Sequence, residues 1–399
     1  MAIISFRQRL HDLFGDTLDL EQGWRQGTWN EYFRSFPEDY PYRDQDGHIS
    51  VAAFLDSLLW PSMYTEEQRH PDGVELPYST RIQGITSYLS EPDALYWIIS
   101  QNKDEDGRGK LTFLQSILNL VTSDPFRTFE IYEPDLAATK AHHFGDPCVF
   151  DNRFILVPYE GTVYPASAPV TEQAPLLVAF EIQTIFDPPN QTTYSYPDSI
   201  QYSGYSYLSQ QGPNHRQAPW CACYKDFIFS SRFSSLEDDD ANLQPEIYLY
   251  KITATNPFGI EPRTKMGSEK YKLKKKNGDP INIRRIQGGD ISHNGHIYLV
   301  SDVKINGEKD ANNKLSEGGG IHMFDITTGR QIYHIKIDGH QSFSSYELEG
   351  ICIRDADVYP RHPLTKGQIH MCVLDVDLRP PDQAWIRHWS TDPNEKQYI

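Results

Sequence analysis

The segment Arg81-Ile82-Gln83-Gly84 recurs as Arg285-Ile286-Gln287-Gly288, and each copy leads through a few turn residues into an apolar strand, Ala94–Ser100 and His296–Ser301. Aligned on the small residue that closes the motif, three more segments join them: His142–Gly145, His215–Ala218 and Glu347–Gly350. The spacings between those small residues are 61, 73, 70 and 62. Second apolar strands follow at Arg153–Pro158, Lys225–Ser230 and Gln368–Leu374 in the other three units. Third strands follow at Lys110–Ile117, Pro175–Ile182, Glu246–Ile252, Gly320–Ile326 and Ala384–Trp389. Fourth strands such as Phe126–Glu133 and Arg330–Ile337 complete most units. A lone twisted sheet cannot bury both faces, whereas units of this period arranged in a ring cover one another. The repeat therefore predicts a mainly β chain folded as a five-bladed β-propeller.

The propeller is expected over 79–399, with blades near 81–133, 142–205, 215–280, 283–337 and 345–390. Residues 1–78 read differently. Phe6, Leu10, Leu13 and Phe14 suit one helical face, and Val51–Trp60 reads as a second helix stopped by Pro61. This stretch is expected to be a small helical extension. The chain ends ten residues after the third strand of the last unit, so a segment before residue 80 is expected to supply the ring-closing strand.

A formal charge of −18 argues against nucleic acid or an anionic membrane as partner. The N-terminus lacks the pattern of a secretory signal, and no apolar run approaches the ~20 residues of a membrane span. The expectation is a cytoplasmic protein. Its five cysteines, Cys148, Cys221, Cys223, Cys352 and Cys372, all lie in apolar β runs and read as reduced core thiols. A metal or redox pair at Cys221-Ala222-Cys223 is the functional alternative.

Strand side chains alternate, so the residues three and one before each small residue share a face. These are Arg81, His142, His215, Arg285 and Glu347, then Gln83, Phe144, Gln217, Gln287 and Glu349. On innermost strands they would line a central channel, and nine of the ten are polar or ionisable. In one reading they neutralise each other, with Glu347 between Arg285 and Arg81 and the glutamines bonded around a wet wall. In the other they form an axial pocket for a small polar or anionic ligand. Arg81 and Arg285, with Gln83, Gln217 and Gln287, would then bind substrate. His142, His215, Glu347 and Glu349 would be acid/base groups, and the two histidines could instead share a divalent metal.

Two segments carry family resemblances. Ser345-Tyr346-Glu347-Leu348-Glu349-Gly350-Ile351 resembles the strand opening of esterase-like phytase propellers, which implies that Glu349 lines an axial site. Gly145-Asp146-Pro147-Cys148-Val149-Phe150 is similar to a strand of five-bladed glycosidases, which implies that Asp146 is a catalytic base. Those enzymes need two further carboxylates on following blades; Asp290 alone is well placed, and the third blade offers none.

Asp104-Glu105-Asp106-Gly107-Arg108-Gly109 resembles a calcium loop, with Asp104 and Asp106 as the first ligands. It departs where Arg108 and Gln115 stand at ligand positions, and a tight Asp/Gly turn is the plainer reading. Together these features predict a propeller enzyme, a hydrolase or lyase acting on an anionic substrate. The alternatives are a glycosidase, and a lectin-like or protein-binding propeller using the Tyr- and Ser-rich stretch 194–211.

Overall fold

The computed structural model describes residues 62–68, 82–90, 94–102, 109–117, 120–121, 127–131, 143–160, 175–183, 199–200, 202–208, 217–237, 244–255, 257–263, 271–292, 295–337, 346–353, 369–375 and 384–390. The helical extension expected over 1–78 lies outside them except for β1 (Ser62–Gln68). The first sheet holds β2 (Ile82–Ser90), β3 (Ala94–Gln101), β4 (Lys110–Ile117), the short β5 (Leu120–Val121) and β6 (Arg127–Ile131). The second begins with β7 (His143–Phe144), β8 (Cys148–Phe150), β9 (Phe154–Glu160) and β10 (Leu176–Glu181). β11 (Ser199–Ile200) runs parallel to β6 in the first sheet, and β12 (Gly204–Tyr207) completes the second beside β10. The third sheet holds β13 (Ala222–Tyr224), β14 (Phe227–Ser231), β15 (Glu246–Thr255), β16 (Phe258–Arg263) and the short β17 (Tyr271–Lys272). The fourth is β18 (Ile286–Ile291), β19 (His296–Ser301), β20 (Gly320–Asp325) and β21 (Gln331–Lys336). The fifth joins β22 (Tyr346–Ile353), β23 (Ile369–Asp375) and β24 (Ala384–Ser390) to β1, which lies antiparallel to β24 from Ser62↔Ser390 to Gln68↔Ala384.

An apolar layer fills the space between each pair of neighbouring sheets. Ile98, Phe113 and Phe129 of the first meet Phe144, Val157 and Phe180 of the second. Leu156 and Leu177 meet Ile228 and Tyr250; Trp220 and Leu249 meet Leu299 and Phe324; Val300 and Met323 meet Leu348 and Met371. The last layer, with Ile82, Trp97, Ile99, Leu114, Cys352 and Cys372, brings the fifth sheet against the first and closes the ring. Both faces of the central strands are therefore buried, which is why β3 is a continuous apolar run. Its Tyr96 and Ile98 enter one layer, and Trp97 and Ile99 the opposite one.

Where the repeat predicts four-stranded blades, among the described residues the fourth sheet is a plain four-strand meander, the first and third carry extra short strands, the fifth takes its outer strand from β1, and the second departs most. Its inner strand is divided: β7 and β8 both pair with β9, and Asp146-Pro147 leaves the ladder between them, while Gly145 N still donates to Pro158 O of β9 at 2.9 Å. Asp146 N instead donates to Pro219 O at 2.7 Å, and Cys221 N to Asp146 O at 3.1 Å, a bridge into the third sheet. Pro147 has no N–H to hold the ladder.

Among the described residues no helix is long and apolar enough to cross a membrane. The basic run near Lys272–Lys276 serves the turn that follows. Gly278, at φ 95°, donates its N–H to Lys275 O, and Lys274 bonds the turn of the fourth sheet through Gly329 and Gln331. Tyr202, Tyr205 and Tyr207 pack against the layer between the first two sheets.

The outer strands of the fourth sheet carry a titratable pair. His322 and His334 stack with ring centroids 3.9 Å apart. His322 is fully buried, its Nε2 3.0 Å from Gly318 O and its Nδ1 3.1 Å from Gln331 Nε2. One ring nitrogen faces an acceptor and the other a donor, the pattern of a neutral imidazole. Burial pushes its pKa well below 6.5, and its neighbour His334 adds to the shift. A base whose folded pKa is lowered makes folding weaker as pH falls through the unfolded value near 6.5, because the unfolded chain takes up the proton first. The melting temperature of the wild type should therefore drop further between pH 7 and pH 5 than that of His322→Gln, with equal drops counting against this assignment.

Candidate functional site

The axis is built from one alignment column. The residues that follow the five small residues are Ile85, Asp146, Pro219, Gly289 and Ile351. Asp146 is fully buried, and its carboxylate accepts the backbone N–H of three others. Oδ1 takes Ile85 N at 2.8 Å; Oδ2 takes Gly289 N at 3.1 Å and Ile351 N at 2.9 Å. The fourth member, Pro219, has no N–H and offers its carbonyl to Asp146 N. One carboxylate thus ties the inner strands of the first, fourth and fifth sheets. A register shift in each of those strands, at Ile82/Gly84, Ile286/Gly288 and Leu348/Ile351, accompanies the donors turned to the axis. Burial lifts the pKa of Asp146 well above the ordinary carboxylate value, against the pull of the three N–H groups.

This corrects two expectations. The axis is filled at the level of the small residues, where Gly84, Gly288 and Gly350 close on Asp146. Asp146 itself, the base implied by the glycosidase resemblance, has no surface to offer a substrate. Asp290, the next carboxylate considered, is partly buried and bonds between blades: its Oδ2 accepts Ile353 N at 2.7 Å.

Of the side chains expected to line the axis, Arg285 and Glu347 come together. Arg285 Nη2 lies 3.3 Å from Glu347 Oε1, with 27% and 31% of the two side chains exposed. Sequence reading missed the third member. Asp302 Oδ2 lies 2.9 Å from the same Nη2, an ion pair by distance without the alignment of a hydrogen bond, and its side chain is 1% exposed. Its Oδ1 accepts Leu348 N from the fifth sheet at 3.2 Å. Burial pushes the Asp302 carboxyl up to about 7; Arg285 and the Leu348 N–H pull it down, and Glu347 adds to the rise.

Arg285 is also a backbone outlier, a non-glycine residue at φ 49°. That conformation costs on the order of 1–2 kcal/mol in an L-residue. It is held from both sides, with Arg285 N donating to Ser234 O at 2.7 Å and Arg285 O accepting Asp302 N at 3.0 Å. The strain delivers the guanidinium to the point where two carboxylates meet. Asp302 has a counterpart: Asn102, one residue past β3 as Asp302 is one past β19, accepts Phe144 N from the second sheet at 2.8 Å. Bonding the next blade is thus a repeated task, and the charge of Asp302 exceeds what that task requires.

The other expected residues scatter. Gln83 is partly buried and donates to Ile82 O; Gln287 is partly buried; Gln217 is exposed. Glu349, placed on an axial site by the phytase resemblance, is 2% exposed. The intervening Ile82, Ile286 and Leu348 are buried between blades, as alternation requires. Arg81, His142, His215, Asp104 and Asp106 lie outside the described residues. Among those described, no group of three or more His, Cys, Asp or Glu side chains is set to hold a metal ion.

No protein-family model matches the chain, and no curated protein matches it. Solved structures resemble it in fold. The β-xylosidase RS223 is 10% identical, with 80% of this chain and 96% of that one covered at a TM-score of 0.44. An α-L-arabinofuranosidase from Podospora anserina is 10% identical, with 82% and 96% covered at 0.40. A glycosyl hydrolase from Bacteroides ovatus is 9% identical, with 80% and 87% covered at 0.35. At these values the likeness concerns the arrangement of strands and assigns no activity.

Proposed function

We propose that the chain is a hydrolase working by carboxyl acid/base chemistry where Arg285, Asp302 and Glu347 meet, on a polar, uncharged substrate. The observation that carries this reading is the positive φ at Arg285, which sets one guanidinium between a buried carboxyl, pushed up to about 7 by burial, and a second carboxyl partly open to solvent. Strain of this kind gathers at functional sites. A carboxyl holding its proton near neutral pH suits acid catalysis. Arg285 is already paired with Glu347 and, when it is ionised, with Asp302, so the trio does not favour an anionic ligand. Glycosides are the first class to assay. Their hydrolysis is driven by carboxyl groups, and Glu347 is the carboxyl here that reaches solvent. Glu347 reaches solvent and would touch the substrate. Asp302 would act through Arg285 as a positioning residue, its protonation state setting the charge beside the guanidinium.

The test is hydrolysis of a panel of chromogenic glycosides and neutral esters by the purified chain. Glu347→Gln should lower kcat/KM about 10²–10⁴-fold. Asp302→Asn keeps an acceptor for Leu348 N, as Asn102 does for Phe144 N, so the fold should hold. It should remove an inflection near pH 7 from the wild-type rate profile. A wild type inert on every substrate, or Glu347→Gln as active as the wild type, overturns the reading.

A further inference from the structure

Three of the five thiols meet where the second and third sheets face each other. Cys148 Sγ lies 3.5 Å from Cys221 Sγ and 3.4 Å from Cys223 Sγ. Cys148 opens β8, three residues past Gly145; Cys221 stands three past Ala218, just before β13. The two are thus counterparts on neighbouring blades. Cys148 and Cys221 are fully buried or nearly so, while Cys223 is partly open to solvent. Cys221 and Cys223 are two residues apart on an extended chain, about 6.6 Å between Cα atoms, at the far edge of what a disulfide spans. Cys148, coming from another blade, reaches both. Bonding to Cys223 requires the sulfurs to approach by little more than about 1 Å, to the ~2.05 Å of a disulfide.

We propose that Cys148 and Cys223 form a reversible disulfide between the second and third blades, with Cys223 the thiol that a peroxide meets first and Cys148 the resolving thiol. The Cys223 thiol is oxidised by hydrogen peroxide to a sulfenic acid, with release of one water. The Cys148 sulfur then displaces the hydroxyl, forming the S–S bond and a second water. Two thiols lose two electrons, and the peroxide takes them up. A dithiol reductant reverses the step by exchange. Cys221, in contact with Cys148 on its other side, can take over the bridge by the same exchange and release Cys223. Burial raises the Cys148 and Cys221 thiols, and the contact with Cys148 raises Cys223, so the oxidation is slow and belongs to sustained exposure.

The experiment treats the folded full chain with millimolar hydrogen peroxide, blocks free thiols with an alkylating agent under denaturing conditions, and maps peptides without reduction. The expected result is a fall from five alkylated cysteines to three, and one linked peptide pair carrying Cys148 and either Cys223 or Cys221. Dithiothreitol should restore five. The oxidised protein should melt about 4 °C higher, since the bridge closes a long loop. Cys148→Ala should abolish the linked pair. Cys223→Ser, at the most open of the three positions, should slow its appearance at least tenfold without disturbing the fold. Five alkylated cysteines after treatment, sulfinic acid at Cys223 with no linked pair, or a link confined to Cys352 and Cys372 would each sink the proposal.

Discussion

Asp146→Ala is expected to remove about 5 kcal/mol of stability, leaving much of the chain unfolded at 37 °C. The substitution deletes the carboxylate that accepts the Ile85, Gly289 and Ile351 N–H groups at the axis. Water cannot replace it without displacing glycine backbone, since Gly84, Gly288 and Gly350 close directly on that carboxylate. Each buried N–H left without a partner costs roughly 1–3 kcal/mol, and a native fold holds only about 5–15 kcal/mol in all. Asp146→Asn should lose about half as much. Its amide oxygen can still serve one side of the hub, but its NH2 must then face donors where Oδ1 or Oδ2 accepted them. Urea unfolding of the three proteins measures both differences. Asp146→Ala within about 1 kcal/mol of the wild type would show that the axis does not depend on this residue.

The contrast between the hub and the alignment shows what the sequence could reveal. The repeat is legible because backbone crowding at the axis admits almost nothing larger than glycine, so Gly84, Gly145, Gly288 and Gly350 recur while their neighbours vary. Strand periodicity separated Ile82, Ile286 and Leu348, buried between blades, from Arg285 and Glu347, which are partly exposed and pair with each other. The hub itself was missed although it stands in the column next to the small residues. Its partners are backbone N–H groups, which leave no residue signature. The available signal was a single carboxylate, Asp146, sharing a column with Pro219, the member unable to donate. Asp302 was missed because it follows a second strand, outside the two columns expected to face a channel. Its tie to Arg285 runs across a hairpin from a residue at positive φ, a conformation that period-two reasoning does not foresee. The Cys148 contact was hidden by distance along the chain. Cys148 and Cys221 hold the same place in two blades 73 residues apart, and counting only local cysteine pairs overlooks this. The roles suggested for His142, His215 and Arg81 lie where the described residues do not reach.

Gly350→Ala should be nearly as damaging, for a reason of space. A Cβ there would meet Asp146 Oδ1 and Gly84 Cα at separations real Cβ atoms do not adopt. Neither obstacle can swing aside. Gly84 Cα is backbone in the inner strand of the first sheet, and Asp146 Oδ1 is held by Ile85 N. Relief requires β22 to move off the axis, which breaks the bond from Ile351 N to Asp146 Oδ2 and opens the apolar layer around Leu348 and Ile351. Overpacking alone costs roughly 1–3 kcal/mol, and the lost hydrogen bond leaves a buried donor that adds about 1–3 kcal/mol. A total of about 4 kcal/mol is expected. Gly259→Ala in β16 is the control. A Cβ there meets Thr253 Oγ1 at 3.5 Å and Ala254 Cβ at 3.8 Å, ordinary contacts, so its stability should stay within about 1 kcal/mol of the wild type. Equal effects at the two glycines would mean that loss of backbone freedom, common to both, outweighs crowding at the hub. A wide gap between them would mean that the five sheets are held in register by the close approach of their inner strands around Asp146.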